Sequence, residues 1–226
     1  MNVFEAIKKG DEILRESGVK SYKIDSEVLM SQVIKKNRIG TILNLNNELS
    51  QKDYKLYENL ITQRSKRKPI AYLTGKKEFW KYEFIVTKDV LIPRPETELI
   101  VEKTLELTKN KSNLKVLEIG VGSGCILLSI LKERKSFYGT GIDISKKTIE
   151  ICKINCKKLD LSERVKLFKT DIDNFKYGKY DLVISNPPYV KKFDIKYLEK
   201  EISLFEPKLA LDGGLDGLSE LKKVIF

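Results

Sequence analysis

The sequence predicts an α/β protein in which a small helical bundle and a β-hairpin precede a parallel, doubly wound sheet. Three observations lead to this fold class. Residues 2–73 carry apolar side chains at helical spacing, and residues 78–86 are rich in aromatic and β-branched side chains. From Leu91 onward, short apolar runs alternate with helical patterns. Strands that alternate with crossover helices pair in parallel, so this last part is expected to form one parallel sheet.

The composition is that of a chain that folds around a packed core. It has 226 residues, of which 41% are hydrophobic and 33% are charged. No apolar stretch approaches the roughly 20 residues that span a bilayer, and the first residues lack a signal-peptide pattern. The sequence therefore predicts a cytoplasmic protein with no membrane partner.

Histidine is absent from the chain. This absence excludes histidine-based catalytic triads, histidine general bases and histidine metal ligands. The three cysteines, Cys125, Cys152 and Cys156, show no metal-ligand spacing, and the last two are expected to be small buried side chains on one helix. No metal site is predicted, and any chemistry must use positioning, carboxylates, amides or a cofactor.

The formal net charge is +11, and the densest basic run includes Arg64, Lys66, Arg67 and Lys68. Such a run is typical of a surface that faces nucleic acid or a ribosomal partner. It is equally typical of a solvated helix end, and the sequence leaves both interpretations open.

Helical periodicity organises the N-terminal part. It predicts a first helix that ends near Gly18, a second over residues 24–34, and a third for which Ser50 is the N-cap. Short helical pieces are expected near residues 39–45 and 69–73.

Strands and helices alternate in the C-terminal part, and four parallel strands are predicted there. The helices are expected over residues 96–108, 125–134 and 145–159, and the strands over residues 115–119, 137–142, 165–168 and 181–185.

A glycine-rich loop, Glu118-Ile-Gly-Val-Gly-Ser-Gly124, follows the first of these strands and opens a helix. Glycines there permit a tight turn and a close approach of the backbone to a ligand. The spacing departs from the dinucleotide fingerprint, which has its third glycine where Cys125 stands. A P-loop lysine is absent, which disfavours nucleotide triphosphate binding.

Carboxylates follow the next two strands. Asp143 ends the second strand, close to the offset of about 20 residues at which an acid meets a ribose diol. Asp171 follows the third strand and has Ile172 beside it as an apolar contact for a ring. Because ligands of such sheets lie at the carboxyl ends of the strands, these features predict a bound adenosyl cofactor.

The fourth strand is followed by Asn186-Pro187-Pro188-Tyr189. Each proline fixes its own φ and lacks an N–H, and the residue before a proline is pushed toward an extended conformation. The result is a rigid turn with free carbonyl oxygens and one carboxamide, a suitable holder for a planar NH2 group. The alternative interpretation is a strand that simply ends at prolines.

In these residues the chain resembles the class I S-adenosylmethionine-dependent methyltransferases, and Asn-Pro-Pro-Tyr is similar to the motif of enzymes that methylate planar amino groups. Two further stretches, residues 69–75 with Phe79-Trp80 and residues 91–98 (Leu-Ile-Pro-Arg-Pro-Glu-Thr-Glu), closely resemble the peptide chain release factor glutamine methyltransferases of the HemK type. The resemblance covers essentially the whole chain, including residues 212–218.

The resemblance implies three parts: a helical domain at 1–75 that binds the release factor, a β-hairpin linker at 76–91, and a Rossmann-like methyltransferase domain at 92–226. It implies transfer of a methyl group from S-adenosyl-L-methionine to the N5 amide nitrogen of the glutamine in the Gly-Gly-Gln loop of release factors 1 and 2, a step of translation termination. A monomer is expected.

The resemblance also implies the site residues. Asn186 would touch both cofactor and substrate, and Asn186 Oδ1 and the Pro187 carbonyl are the expected catalytic acceptors of the amide hydrogens. The substrate glutamine would be held by Asn186, Pro187, Pro188 and Tyr189. The cofactor would be held by Glu118, Gly120, Val121, Gly122, Ser123, Gly124, Asp143, Asp171, Ile172 and Asn186.

Two alternatives stay open. An amino methyltransferase of DNA or RNA bases shares Asn-Pro-Pro-Tyr and would use the positive charge, although no base-recognition module is visible, so nucleic acid is the less favoured substrate. The chain also ends within a predicted helix at Phe226, whereas members of the family usually continue into three further strands. We therefore expect an incomplete, C-terminally truncated sheet, and an inactive remnant that only binds cofactor or release factor is the second alternative.

Overall fold

The computed structural model describes residues 1–225. The chain divides into two compact units, one formed by Met1–Thr74 and one that begins at Gly75.

The first unit is helical. A capping box starts its first helix, because Asn2 Oδ1 accepts from the Glu5 N–H over 2.8 Å and the Glu5 carboxylate accepts from the Asn2 N–H over 3.0 Å. The predicted N-cap at Ser50 is confirmed, since its hydroxyl accepts from the Asp53 N–H over 3.1 Å. The helices are α1 (Val3–Glu16), α2 (Tyr22–Val33), α3 (Arg38–Leu43), α4 (Gln51–Ser65) and α5 (Ile70–Thr74).

The apolar faces of α1, α2 and α4 share one core, which includes Leu14, Leu29 and Ile61. At its border, Arg64 Nε donates to Asp25 Oδ2 over 2.6 Å, and both side chains are buried. Arg64 therefore belongs to an internal ion pair and not to a basic surface. Of the basic run that could face nucleic acid, this residue is not available for such a contact.

The second unit begins with the predicted antiparallel hairpin, formed by β1 (Lys76–Phe79) and β2 (Tyr82–Ile85). Trp80 in its turn has a φ of 58°, a conformation that is uncommon for residues other than glycine. The Glu98 carboxylate holds this turn, because its Oε1 accepts from the Trp80 N–H over 2.7 Å.

The predicted parallel sheet is confirmed. Its four strands run in the order β5-β4-β3-β6, and every neighbouring pair is parallel. The elements are α6 (Glu98–Leu107), β3 (Lys115–Ile119), α7 (Cys125–Glu133), β4 (Tyr138–Asp143), α8 (Lys146–Lys158), β5 (Val165–Lys169), β6 (Leu182–Ser185), α9 (Lys200–Phe205) and α10 (Ser219–Ile225). The observed ends of these strands and of α6, α7 and α8 coincide with the predicted ends or differ from them by at most two residues.

The strand β3, one of the two inner strands of the sheet, sets the position of the loops that follow the strands. Ile119, its last residue, is paired with Ile142 of β4 on one side and with Ser185 of β6 on the other. The loops after these three strands therefore leave the sheet side by side at its carboxyl edge. The helix α7 packs on the sheet through a buried apolar face that includes Leu127 and Leu131.

The two predicted buried cysteines, Cys152 and Cys156, are buried on α8 within this core. Among the residues that the structure describes, no helix is both long enough and apolar enough to cross a membrane.

Candidate active site

A cavity of about 1220 Å³ opens at the carboxyl edge of the sheet, within the second unit. Six stretches of chain supply most of its wall: the segment before α6, the loops after β3, β4, β5 and β6, and the segment between α9 and α10. The lining includes Leu91, Pro93, Arg94, Thr97, Glu118, Gly120, Val121, Gly122, Ser123, Cys125, Asp143, Asp171, Ile172, Asn186, Pro187, Pro188, Lys208, Ala210 and Asp212.

The glycine-rich loop turns sharply after β3. Gly120, Gly122 and Gly124 all have a positive φ, at 73°, 56° and 83°. The N–H groups of Gly120 and Val121 both donate to the Ile142 carbonyl over 2.9 Å, which holds the loop against the end of β4. Glycine is the residue that adopts this backbone without steric cost.

The glycines of the loop differ in what surrounds them. A Cβ placed on Gly120 would meet nothing within 4 Å, so the backbone there faces the open cavity. A Cβ on Gly124 would lie 2.8 Å from Cys152 Sγ and 2.9 Å from Leu128 Cδ1. Gly124 is therefore required for the packing of α7 and α8, whereas Gly120 leaves room for a ligand.

Two carboxyl groups stand at the base of the cavity. Glu118 is buried, and its Oε2 accepts from the Leu127 N–H near the start of α7 over 3.0 Å. Asp143 Oδ2 accepts from the Gly122 N–H over 3.2 Å, and its Oδ1 accepts from the Ser145 N–H over 2.9 Å. Asp143 thus fixes the glycine loop and the start of α8 with respect to one another.

Burial changes the acidity of both groups. Desolvation raises the pKa of Glu118 well above its ordinary value, and the nearby Asp143 charge raises it further against the opposing N–H of Leu127. Desolvation also raises the pKa of Asp143, partly offset by the N–H groups of Ser145 and Gly122. A positively charged group or a hydroxyl donor next to Glu118 and Asp143 would therefore stabilise their ionised forms.

Asp171 and Ile172 line the cavity from the loop after β5. Both oxygens of the Asp171 carboxylate accept hydrogen bonds from Asn174, through its backbone N–H over 2.8 Å and its side-chain Nδ2 over 2.8 and 2.9 Å. The Asn174 side chain and backbone lower the pKa of Asp171. Asp171 is therefore ionised and held at the rim, with Ile172 beside it as the apolar neighbour.

Asn186, Pro187 and Pro188 form the opposite wall. The hydroxyl of Ser185 donates to the Ile119 carbonyl over 2.9 Å, which ties the start of the corner formed by residues 186–189 to the end of β3. Asn186 Nδ2 lies 3.5 Å from Thr97 Oγ1. No donor within residues 1–225 is bonded to the Pro187 carbonyl oxygen, so it is available to a ligand.

The corner rests on residues 211–217. The Val190 N–H donates to the Leu211 carbonyl over 3.0 Å, and the Gly213 N–H donates to the Val190 carbonyl over 2.8 Å. A Cβ on Gly213 would lie 2.8 Å from Tyr189 Cα, and one on Gly217 would lie 2.6 Å from the Tyr189 carbonyl oxygen. Only glycines allow the two segments to approach this closely.

A buried carboxylate joins two other parts of the wall. Glu206 Oε2 accepts from the Ile92 N–H over 3.2 Å, and its Oε1 pairs with Arg94 Nη2. The segment before α6 is thus attached to the segment after α9.

A cysteine, Cys125, also lines the cavity. Burial raises the pKa of its thiol to about 12, so the thiol stays protonated at neutral pH. A thiolate mechanism is therefore disfavoured.

Comparison with known families and proteins agrees with this geometry. The family model "PrmC N-terminal domain" matches residues 5–75, and the model "Methyltransferase small domain" matches residues 96–204. The release factor glutamine methyltransferase of Clostridium acetobutylicum is 39% identical over 99% of this chain and 80% of its own length. This chain belongs to the release factor glutamine methyltransferase family.

Other members show the same extent of similarity. The release factor glutamine methyltransferase of Caulobacter vibrioides is 36% identical over 93% of this chain and 73% of its own length. That of Buchnera aphidicola from Acyrthosiphon pisum is 38% identical over 100% of this chain and 79% of its own length. A solved RNA methyltransferase from Salinibacter ruber, in complex with S-adenosyl-L-homocysteine, has a TM-score of 0.37 and is 20% identical over 42% of this chain and 60% of that one. The assignment rests on the relatives and not on this likeness.

Most of the residues predicted for the site of this family member line one cavity. Two of them do not, in the part of the chain that the structure describes. Gly124 faces α7 and α8 instead of the cavity, because the helices pack on it. Tyr189 is 69% exposed and lies outside the lining, because its backbone turns toward Gly213 and Gly217. The roles in ligand binding that the sequence predicts for these two residues stay predictions.

Other residues of the wall were not predicted from the sequence. Residues 91–98 indicated only the family, yet Leu91, Pro93, Arg94 and Thr97 line the cavity. Lys208, Ala210 and Asp212 also line the cavity, from the segment after α9, and no sequence pattern predicted a role for them. The one available signal was the density of proline, glycine and acidic residues in these stretches, which is typical of loops that carry function.

Proposed function

We propose that this chain transfers a methyl group from S-adenosylmethionine to the N5 amide nitrogen of the glutamine in the Gly-Gly-Gln loop of bacterial release factors. Membership of the release factor glutamine methyltransferase family supports the reaction and the protein substrate. The observation that carries the proposal is that Asn186 and Pro187 line the same cavity as the glycine loop and its two carboxyl groups.

The residues of the cavity fit S-adenosylmethionine. The open space beside Gly120 admits a ligand close to the backbone. A carboxylate offers about four lone-pair sites, and Asp143 uses two of them in backbone hydrogen bonds, which leaves acceptors for the two hydroxyls of a ribose. The buried Glu118 and Asp143 also favour a cationic ligand over an anionic one.

We assign the ends of the cofactor on this basis. Gly120, Val121, Gly122 and Ser123 would hold the methionine and ribose part, with Glu118 beneath them. Asp143 would accept from the ribose hydroxyls, and Asp171 with Ile172 would border the adenine. When bound, the cofactor supplies an electrophilic methyl group on a sulfonium centre.

The chain itself orients the glutamine amide. The nitrogen of an amide is a weak nucleophile because its lone pair is delocalised. Asn186 Oδ1 and the Pro187 carbonyl would accept the two amide hydrogens, so that the nitrogen faces the cofactor methyl. Once the nitrogen has bonded to the methyl group, one of its two hydrogens would leave as a proton to solvent. Alignment of reactants lowers barriers by up to about 7–11 kcal/mol in model systems, and fixed carbonyl dipoles add electrostatic stabilisation as positive charge develops on the nitrogen.

The rest of the substrate would be held outside the cavity. Tyr189, the exposed last residue of the corner, would pack against the release-factor loop as this loop enters the cavity. The helical unit, residues 1–74, would bind a part of the release factor other than the Gly-Gly-Gln loop, which makes recognition depend on the folded protein and not on the loop alone.

Labelled cofactor provides the test. The protein is incubated with a class 1 release factor or with its Gln→Ala loop variant. We expect methylation of the natural release factor and none of the variant; equal labelling of both contradicts the proposed site.

Methylation of nucleic acid is the second candidate, and the net charge of +11 is the observation that favours it. Labelled oligonucleotides under the same conditions, together with binding that weakens steeply with salt, would support it. Cofactor titration alongside the turnover assay separates an enzyme from a chain that only binds.

A further inference from the structure

The side-chain carboxamide of Asn186 has a hydrogen-bond acceptor at one end and a donor at the other. Its Oδ1 accepts hydrogen bonds, whereas its Nδ2 donates them, and rotation of the group by half a turn exchanges the two. Only the orientation with Oδ1 toward the cavity accepts a hydrogen from a substrate amide. A group outside the substrate must therefore fix the rotation.

Thr97 is placed to do so. Its Oγ1 lies 3.5 Å from Asn186 Nδ2, and both residues line the cavity. With Nδ2 directed at Thr97, Oδ1 is left for the substrate. A contact of this length is weak, and such bonds commonly tighten when the ligands of a site are bound.

The Thr97 hydroxyl has no other structural task among the described residues. Threonine at an N-cap usually accepts a hydrogen bond from the first turn of its helix. Thr97 is the N-cap of α6, yet its side chain makes no capping hydrogen bond. The hydroxyl is therefore available to Asn186.

The segment that carries Thr97 is fixed on both sides of it. On one side, the Glu206 carboxylate binds the Ile92 N–H and Arg94. On the other side, Glu98 Oε1 accepts from the Trp80 N–H over 2.7 Å. These anchors hold the position of the Thr97 hydroxyl in the absence of substrate.

We propose that Thr97 is a positioning residue for the amide transfer, which accepts a hydrogen bond from Asn186 Nδ2 and so presents Asn186 Oδ1 to the substrate. This inference rests on the proposed function, because it assigns a task to the residue that orients the acceptor amide.

Two substitutions at one position test it. Thr97→Val keeps the shape and removes the acceptor, whereas Thr97→Ser keeps the acceptor. A neutral hydrogen bond of ordinary strength corresponds to about a three- to tenfold effect on rate, so we expect kcat to fall by that factor in Thr97→Val and to recover in Thr97→Ser. Cofactor affinity and Tm should match those of the wild type in both variants.

Equal kcat in Thr97→Val and wild type overturns the inference, and so does an equal loss in both variants. A second measurement does not need turnover. In protein labelled at its asparagine side chains, we expect a nuclear Overhauser effect between the Nδ2 hydrogens of Asn186 and the Thr97 methyl group. Absence of this nuclear Overhauser effect in the cofactor-bound protein overturns the inference, even if no methyl transfer is detected. A wild-type protein that shows the nuclear Overhauser effect but never methylates a release factor contradicts only the proposed function.

Discussion

The carboxamide of Asn155 on α8 donates to the Ser123 carbonyl in the glycine loop over 2.9 Å. The same carboxamide accepts from the Ile85 N–H over 2.7 Å and donates to the Ile85 carbonyl over 2.9 Å. One fully buried side chain thus joins the β-hairpin to the loop that borders the cavity.

Asn155→Asp should strongly destabilise the protein. The carboxylate keeps the acceptor for Ile85 N–H but faces two carbonyl oxygens without a hydrogen to donate, and it buries a charge. We expect a loss of about 3–5 kcal/mol in the free energy of unfolding, measured by urea denaturation at neutral pH. Asn110→Asp, at an exposed position, is the matched control and should change stability by no more than about 0.5 kcal/mol. Similar losses in both variants would show that Asn155 has no special role.

The two ends of the glycine loop should respond differently to alanine. Gly120→Ala adds backbone strain of about 1–2 kcal/mol and places a methyl group in the open cavity, so it should weaken cofactor binding more than it lowers stability. Gly124→Ala adds the same strain and a clash with Cys152 and Leu128, which costs roughly a further 1–3 kcal/mol. Isothermal titration of cofactor and thermal unfolding separate the two effects. The opposite ranking in stability would contradict the packing described for Gly124.

Glu118→Gln should stabilise the cofactor-free protein in a pH-dependent way. The pKa of Glu118 is raised in the folded state, so its contribution to stability is present below its unfolded pKa of about 4.3 and is lost as the pH rises through its folded pKa. Glutamine does not undergo this loss. The Tm of the variant should exceed that of the wild type at pH 8 by roughly 2–4 °C for each kcal/mol regained, and the difference should shrink toward pH 4.

The same substitution should weaken cofactor binding, because glutamine lacks the negative charge that favours a cationic ligand. We expect Kd for S-adenosylmethionine to rise roughly tenfold, which corresponds to a loss of about 1.4 kcal/mol in binding free energy. A Tm difference that is independent of pH, or a Kd that does not change, would remove Glu118 from the electrostatics of the site.

Asn186→Ala should reduce turnover far more than cofactor binding. Removal of one preorganised dipole from a reacting centre typically costs about 10²- to 10³-fold in kcat, and we expect a loss of this size with a nearly unchanged Kd for the cofactor. Ser203→Ala, at a half-buried position on α9 outside the cavity lining, is the control for the preparation of the variants. Wild-type turnover by Asn186→Ala would exclude its carboxamide from the reaction.

The sequence was sufficient for the features that depend on local patterns. Alternating apolar runs predicted the four parallel strands, and Ser50 predicted the start of α4, because periodicity and caps are properties of neighbouring residues. The strand-end positions of Asp143 and Asn186 also placed them at one cavity, since parallel strands share their carboxyl edge.

Contacts between distant segments could not be predicted in this way. Nothing in the sequence near Glu206 indicates that it binds Arg94, and nothing near Thr97 indicates that it lies beside Asn186. The outward position of Tyr189 likewise depends on Gly213 and Gly217, which follow it by more than 20 residues. Such relationships are set by the three-dimensional path of the loops, which single-sequence patterns do not encode.

The close packing of Gly213 and Gly217 against the backbone of Tyr189 has a consequence for engineering. The conformation of residues 186–189 therefore depends on residues 211–217 as much as on these four residues themselves. If another tetrapeptide replaced residues 186–189 alone, its backbone would have to pack against residues 211–217, whose shape fits the original backbone. Residues 186–190 and 211–217 would have to be exchanged as a matched pair.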